Sequence, residues 1–154
     1  MKNIQWYPGH MAKAKRELTE KLPLVDVVFE LVDARIPVAS RNPDMVQLIQ
    51  NKPQVLILMK SDLADPKVTQ QWLNYYEQKK ITAVPFNGKS NQGIDKIIEA
   101  AHSVLEEHTL KREEKGLKKR AIRAVTVGIP NVGKSTLINR FAGKNITTTG
   151  NRPG

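Results

Sequence analysis

The sequence predicts an α/β fold, in which a mostly parallel sheet carries helices on both of its faces. Three observations lead to this prediction. The chain has 154 residues, the size of a single domain. Four short runs are apolar on both faces, as buried parallel strands are, and helical stretches alternate with them as in βαβ units. The strand runs cover residues 25–32, 54–59, 83–86 and 122–127, and the helical stretches cover 43–51, 66–79 and 93–107.

The helical stretches carry start and packing signals of their own. Asp65 precedes Pro66, and this pair suits the N-cap and the first position of a helix. In the third stretch, apolar residues recur at steps of three and four and so form one stripe along a helix. These residues are Ile94, Ile97, Ile98, Ala101 and Leu105.

Composition narrows the classes of function. Lys and Arg number 25 against 15 Asp and Glu, a net charge of +10, which favours a polyanionic partner such as nucleic acid or an acidic membrane surface. The absence of Cys excludes a disulfide scaffold, a thiolate metal site and a Cys nucleophile. The longest apolar run, residues 55–59, is far shorter than the roughly 18 residues of a membrane span, and the N-terminus has no apolar signal-peptide segment.

Residues 111–123 concentrate the positive charge. They contain seven Lys or Arg and two Glu, half of the net charge of the chain. This segment is either a solvated helix end with a linker, or a patch that contacts RNA phosphates. A smaller basic cluster of Lys13, Lys15 and Arg16 lies near the N-terminus.

Residues 128–135, GIPNVGKS, match the phosphate-binding pattern G-x-x-x-x-G-K-[ST] at every position. A predicted strand leads into this P-loop and a helical run over 136–141 follows it, as the pattern requires. Backbone N–H groups of such a loop cradle phosphates at the start of the helix; Lys134 is expected to reach the β- and γ-phosphates and serve catalysis, and Ser135 to bind Mg²⁺. The predicted phosphate-binding residues are Asn131, Val132, Gly133, Lys134, Ser135 and Thr136. The fold class thereby becomes a three-layer P-loop NTPase.

Two loops that follow predicted strands indicate which base is bound. Met59-Lys60-Ser61-Asp62 is close to N-K-x-D, in which the Asp carboxylate accepts N1–H and N2–H₂ of guanine while the Lys stem lies along the base. Asn87-Gly88-Lys89 compares with the S-A-K loop, whose backbone N–H meets guanine O6. Ligands of open α/β sheets bind at the carboxyl ends of the strands. Together the two loops favour guanine over adenine.

The order of these motifs is inverted. The base-reading loops at 59–62 and 87–89 precede the P-loop, whereas in an ordinary GTPase the P-loop comes first. This order indicates a circular permutation, with residues 108–121 as the linker between the former ends. The sequence resembles the circularly permuted ribosome-assembly GTPases over essentially all 154 residues, but only over the front part of the family's length. The resemblance lies in residues 6–11, 33–37, 60–62, 128–135 and 150–154.

The resemblance implies a GTPase that binds the precursor of the large (50S) ribosomal subunit and its rRNA, and hydrolyses GTP there at a late step of assembly. It implies GTP or GDP and Mg²⁺ as ligands, a cytoplasmic location, and neither a membrane nor DNA as partner. Two alternatives stay open. One is an rRNA-binding module that acts without nucleotide, and the other is a P-loop ATPase, which only Met59 favours.

Two further roles rest on the resemblance. In the family, an N-terminal His has been proposed to take over from the usual water-orienting Gln, and here that residue would be His10. The alternative for His10 is a turn residue that packs on Trp6. Asn131 matches a position with which several related GTPases help to bind an activating K⁺. The alternative is that Asn131 is an ordinary loop residue without this role.

Two other groups of residues are ambiguous in the sequence. Asp33 and Arg35 lie just past the first strand. They either serve the nucleotide site or the ribosome interface, or pair with each other to brace a turn. Trp72, Tyr75 and Tyr76 follow helical spacing and are expected to pack rather than to stack on bases.

The sequence departs from the family in two respects. Met59 replaces the Asn of the base-reading motif, so we expect GTP to bind more weakly by about 1–3 kcal/mol, the cost of a lost polar contact. The family continues beyond Gly154 with a switch Thr, a D-x-P-G segment and a helical C-terminal domain, which the 154 residues do not include. We therefore expect nucleotide binding in this chain to outlast hydrolysis.

Overall fold

The computed structural model describes residues 8–90, 92–109, 121–128 and 133–150. Five strands run through these residues: β1 (Val27–Asp33), β2 (Gln54–Met59), β3 (Ala83–Pro85), β4 (Ile122–Gly128) and β5 (Ile146–Gly150). Five α-helices accompany them: α1 (Pro8–Lys21), α2 (Pro43–Ile49), α3 (Pro66–Gln78), α4 (Gln92–Thr109) and α5 (Lys134–Arg140). Short 3₁₀ turns occupy Leu22–Leu24 and Ser61–Leu63. No helix in the described part is long and apolar enough to cross a membrane.

The strands form one parallel sheet in the order β3-β2-β1-β4-β5. The chain moves outward from β1 to β2 and β3, then returns to the other side of β1 with β4. The direction of winding thus reverses between β1 and β4. Such a reversal leaves a crevice at the carboxyl ends of the strands, which is where open α/β sheets bind ligands.

Helices cover both faces of the sheet, so the fold has the three layers that the sequence predicts. In β1, Val27, Phe29 and Leu31 belong to a buried cluster that includes residues of α4 and α5. Because side chains alternate along a strand, the intervening residues face the opposite side. There Val28 packs with residues of α1 and α2, and Val32 with Tyr76 of α3.

The α/β prediction is confirmed, and the four predicted strands and the helices over 43–51, 66–79 and 93–107 are present with ends shifted by at most two residues. The Asp65 side chain caps α3 by accepting a hydrogen bond from the Lys67 N–H at 2.9 Å, as predicted. The aromatic rings of α3 pack on one another, since the ring centroids of Trp72 and Tyr76 lie 6.0 Å apart and Tyr76 is 2% exposed.

Two elements are missing from the sequence-based prediction. The helix α1 buries Met11, Ala14 and Leu18, a spacing of three and four residues that would have revealed it. Among the described strands, β5 pairs with β4 alone. Its sequence, ITTTG, is largely polar, and so it did not match the pattern of a buried parallel strand, which is apolar on both faces.

Candidate functional site

A cleft of about 370 Å³ opens at the carboxyl ends of β2 and β3, beside the start of α5. It brings together both predicted base-reading loops and the end of the P-loop. The described residues that line it are Met59, Lys60, Asp62, Leu63, Phe86, Asn87, Gly88, Lys89, Gly133 and Thr136. Clefts of about 470 and 520 Å³ lie by the opposite ends of β2 and β3 and contain none of the predicted site residues.

The remaining predicted site residues fall into two groups. Ser61 lies in the turn beside the cleft, and Lys134 and Ser135 form the first turn of α5. His10 lies in α1, but its side chain is outside the description, and Asn131 and Val132 are outside the described residues altogether. The structure thus leaves the predicted roles of His10 and Asn131 as predictions.

The first base-reading loop turns sharply at the end of β2. Lys60 adopts φ 59° and ψ 39°, in the left-handed region that non-glycine residues rarely occupy. The turn Ser61–Leu63 follows at once and places the Asp62 carboxylate, 22% exposed, at the cleft. The Ser61 N–H donates to the carbonyl of Phe86 at 3.1 Å, which fastens this loop to the next one.

The second base-reading loop is closed by its own polar groups. The Asn87 side-chain oxygen accepts a hydrogen bond from the Lys89 N–H at 2.9 Å, and the Asn87 carbonyl accepts one from the Ser90 N–H at 3.1 Å. Lys89 extends from this loop to the first one, where its Nζ lies 3.4 Å from Asp62 Oδ2. An ammonium thus stands beside the carboxylate that the sequence assigns to guanine.

The cleft also contains apolar residues that the sequence analysis did not single out. Leu63 is 56% exposed although it is apolar, and Phe86, 1% exposed, forms part of the buried wall. Each directly adjoins a base-reading motif in the sequence, and this adjacency was the available signal. An exposed leucine beside a polar loop suits contact with the flat face of a base.

The two glycines of the P-loop motif are required for different structural reasons. Gly128 ends β4 opposite Leu31, and a Cβ built on it would lie 2.7 Å from the Leu31 carbonyl oxygen, so only glycine permits this strand approach. Gly133 has φ +94°, which favours glycine because L residues rarely adopt it. Gly133 caps α5, and its carbonyl accepts the Leu137 N–H at 3.1 Å. Ser135 and Thr136 are exposed in the first helical turn, where anions are favoured.

Met59 links the base-reading side of the cleft to the phosphate side. It is 2% exposed, and its Cε lies 3.5 Å from where a Cβ on Gly133 would be. At the position where the resemblance implies Asn, this chain therefore has a buried apolar side chain beside Gly133.

Asp33 and Arg35 form the turn brace that was one of their two predicted roles. The Arg35 backbone N–H and Nε donate to Asp33 Oδ1 at 2.9 and 3.0 Å, and Arg35 Nη2 donates to Oδ2 at 2.7 Å. These hydrogen bonds hold the pKa of Asp33 below its usual value of 3.8, although burial opposes the shift. The charge of Lys60 lowers this pKa further.

Comparison with known proteins agrees with this arrangement. Residues 123–154 match the protein family described as "50S ribosome-binding GTPase". Ribosome biogenesis GTPase A of Bacillus pumilus is 55% identical over 151 residues, which are 98% of this chain and 54% of that protein. The crystal structure of GNP-bound YlqF from T. maritima superposes with a TM-score of 0.61 at 28% identity, covering 86% of this chain and 48% of that one. A GDP-bound structure of the same protein superposes with a TM-score of 0.62, also at 28% identity.

These similarities extend over nearly the whole chain but over only part of each relative. The chain spans about half the length of the curated relatives it matches. The parallel five-stranded sheet with helices on both faces agrees with these matches. Over nearly its whole length this chain is therefore similar to the ribosome biogenesis GTPase A proteins, and it spans about half of theirs.

Proposed function

We propose that this chain binds guanine nucleotide and forms part of a GTPase that acts in ribosome assembly. One observation carries the proposal: a single cleft is lined by both base-reading loops and by the start of the P-loop helix. These segments are far apart in the sequence, at 59–63, 86–89 and 133–136, and only the fold brings them together. The guanine nucleotides named for the similar YlqF structures support the same ligand.

The base is held in this proposal by the two loops. Asp62 accepts N1–H and N2–H₂ of guanine with both carboxylate oxygens, a contact that adenine does not offer. The stem of Lys60 and the side chain of Leu63 lie along the ring, and a backbone N–H of the 87–89 loop donates to O6. Asp62, Lys60 and Leu63 all line the cleft.

The phosphates are held at the start of α5. Lys134 reaches the β- and γ-phosphates, and the N–H groups of residues 131–136 surround them. Within the described residues, no cluster of three or more His, Cys, Asp or Glu side chains offers a separate metal site. The exposed Ser135 hydroxyl fits Mg²⁺ instead, since this ion commonly takes few protein oxygens together with substrate phosphates and water. Such an ion would neutralise charge on the transferred phosphoryl group.

The names of the relatives and the charge of the chain support a proposal for the partner and the reaction. We propose GTP hydrolysis on a precursor of the large ribosomal subunit at a late step of assembly, in the cytoplasm. The net charge of +10 suits contact with rRNA. His10 would orient the attacking water, and Asn131 would help to bind K⁺.

Isothermal titration of GDP, GTP and ATP onto this chain tests the ligand. Guanine nucleotides should bind and ATP should bind far more weakly. Asp62→Asn should weaken GDP binding and admit xanthosine diphosphate, because the amide can donate to the xanthine O2. Asp95→Asn, on the exposed surface of α4, is the matched control. Tight ATP binding would instead support the P-loop ATPase that Met59 favours.

A second experiment separates a nucleotide switch from an RNA-binding module. Lys134→Ala should abolish nucleotide-dependent association with ribosomal particles and leave salt-sensitive RNA binding intact. Particle association that is equal with and without GTP, in both the wild type and the variant, would favour the nucleotide-independent module.

A further inference from the structure

The last turn of α5 contacts the second base-reading loop. Arg140 Nη2 donates a hydrogen bond to the carbonyl oxygen of Gly88, which is 52 positions away in the sequence. Thr136, one helical turn earlier on the same face of α5, lies against the same glycine. A Cβ built on Gly88 would come within 3.1 Å of Thr136 Cγ2, closer than side chains normally pack. The helix therefore holds this loop at two points.

The peptide unit between Gly88 and Lys89 is fixed at both of its polar groups. Its carbonyl accepts from Arg140, and its N–H donates to the Asn87 side-chain oxygen at 2.9 Å. A peptide unit is planar, so these two hydrogen bonds together determine its orientation. They also determine where Lys89 leaves the backbone to reach Asp62.

We propose that Arg140 is a positioning residue for guanine recognition. It acts through the Gly88 carbonyl, because Arg140 is not among the residues that line the cleft. The helix α5 starts at the proposed phosphate site, so Arg140 sets the position of the base-reading loop relative to that site. This inference rests on the proposed guanine-nucleotide function and adds a determinant of base specificity to it.

A purely structural role for Arg140 leads to a different expectation. A cation in the last turn of a helix stabilises it through the helix dipole, and Arg140 is in that turn. Losing this effect would lower thermal stability and weaken all nucleotides together. Losing the positioning of the loop would weaken GDP more than ADP, because only the guanine contacts depend on the loop.

The test measures the ratio of the dissociation constants for ADP and GDP by titration. Arg140→Met keeps most of the aliphatic stem but removes the donor, and it should lower the ratio by about tenfold, the effect of one charge-assisted hydrogen bond. Arg140→Lys, which keeps the charge and one donor, should recover part of the ratio. Lys144→Gln removes a cation just beyond the same helix, where Lys144 pairs with Asp95 at 3.7 Å, and should leave the ratio unchanged.

The outcomes separate this inference from the proposal on which it rests. A wild-type chain without preference for GDP over ADP would refute both. A wild-type preference that persists in Arg140→Met would refute the positioning role alone, whatever the variant's melting temperature. If Arg140→Met does not fold, Arg140→Gln, whose shorter side chain does not reach Gly88 in the same way, is judged by the same ratio.

Discussion

Lys89 Nζ lies 3.4 Å from Asp62 Oδ2, so an ion pair joins the two loops that are proposed to read the base. The Lys89 side chain is 82% exposed and that of Asp62 is 22% exposed. Exposed ion pairs contribute little to the free energy of unfolding. The effect of Lys89 is therefore expected in the electrostatic potential around the Asp62 carboxylate, where the guanine donors would bind.

Charge reversal at Lys89 tests this effect. Lys89→Glu places a second carboxylate near Asp62, and the repulsion should weaken GDP binding by several-fold at low ionic strength. The loss should shrink as salt is added, because the Debye length falls from about 30 Å at 0.01 M to about 8 Å at 0.15 M. The measurement is the GDP dissociation constant at both ionic strengths. Lys144→Glu is the control of equal charge change, and a loss equal in both variants would contradict a local effect at Asp62.

Met59→Asn is expected to change affinity and stability in opposite directions. The family's Asn should restore a polar contact and tighten GDP binding by about 5- to 150-fold, equivalent to about 1–3 kcal/mol. Met59 is, however, 2% exposed and lies beside Gly133. A buried amide there should lower the free energy of unfolding by about 1–3 kcal/mol.

Calorimetry and chemical unfolding of the same Met59→Asn preparation measure the two effects. Met59→Leu is the control, because it keeps an apolar side chain of similar volume and should change neither quantity greatly. An unchanged GDP affinity in Met59→Asn would contradict the expected weakness of the natural Met59 site.

The sequence allowed most of the fold and the components of the site to be predicted, because buried strands and nucleotide loops have strong local patterns. The strand runs and the residues of the cleft other than Leu63 and Phe86 came from such patterns. The contact between Arg140 and Gly88 could not be predicted, since it joins positions 52 residues apart and depends on where the fold places the end of α5 relative to the loop after β3. For the same reason, the partner of Asp62 was not foreseen: Lys89 was assigned a role for its backbone, whereas its side chain makes the contact.

Two glycine substitutions should separate steric clash from backbone strain. Gly128→Ala would place a Cβ 2.7 Å from the Leu31 carbonyl oxygen, so β1 and β4 must move apart. Gly143→Ala meets nothing within 4 Å, but φ is +79° there, and the cost is the conformational strain of about 1–2 kcal/mol alone. We expect Gly128→Ala to lower the free energy of unfolding by clearly more than Gly143→Ala does. Urea unfolding of both variants measures the difference, and equal losses would mean that β1 and β4 accommodate the added Cβ at a cost of only about 1–2 kcal/mol.

Acid should reduce stability partly through Asp33. The hydrogen bonds from Arg35 hold the pKa of Asp33 below 3.8 in the folded chain, so the folded state binds this proton less readily than the unfolded state does. The resulting stabilisation is fully present above the unfolded value of 3.8 and is lost as pH falls through the lower folded pKa. Asp33→Asn should therefore be less stable than wild type near neutral pH, and this difference should narrow as the pH falls below 3.8.

Urea unfolding over a pH series measures that narrowing. Arg35→Met removes the main cause of the lowered pKa, and it should flatten the acid dependence of stability in the same way. If the free energy of unfolding of Asp33→Asn changed with pH as that of wild type does, the Asp33–Arg35 brace would not be a source of the acid sensitivity.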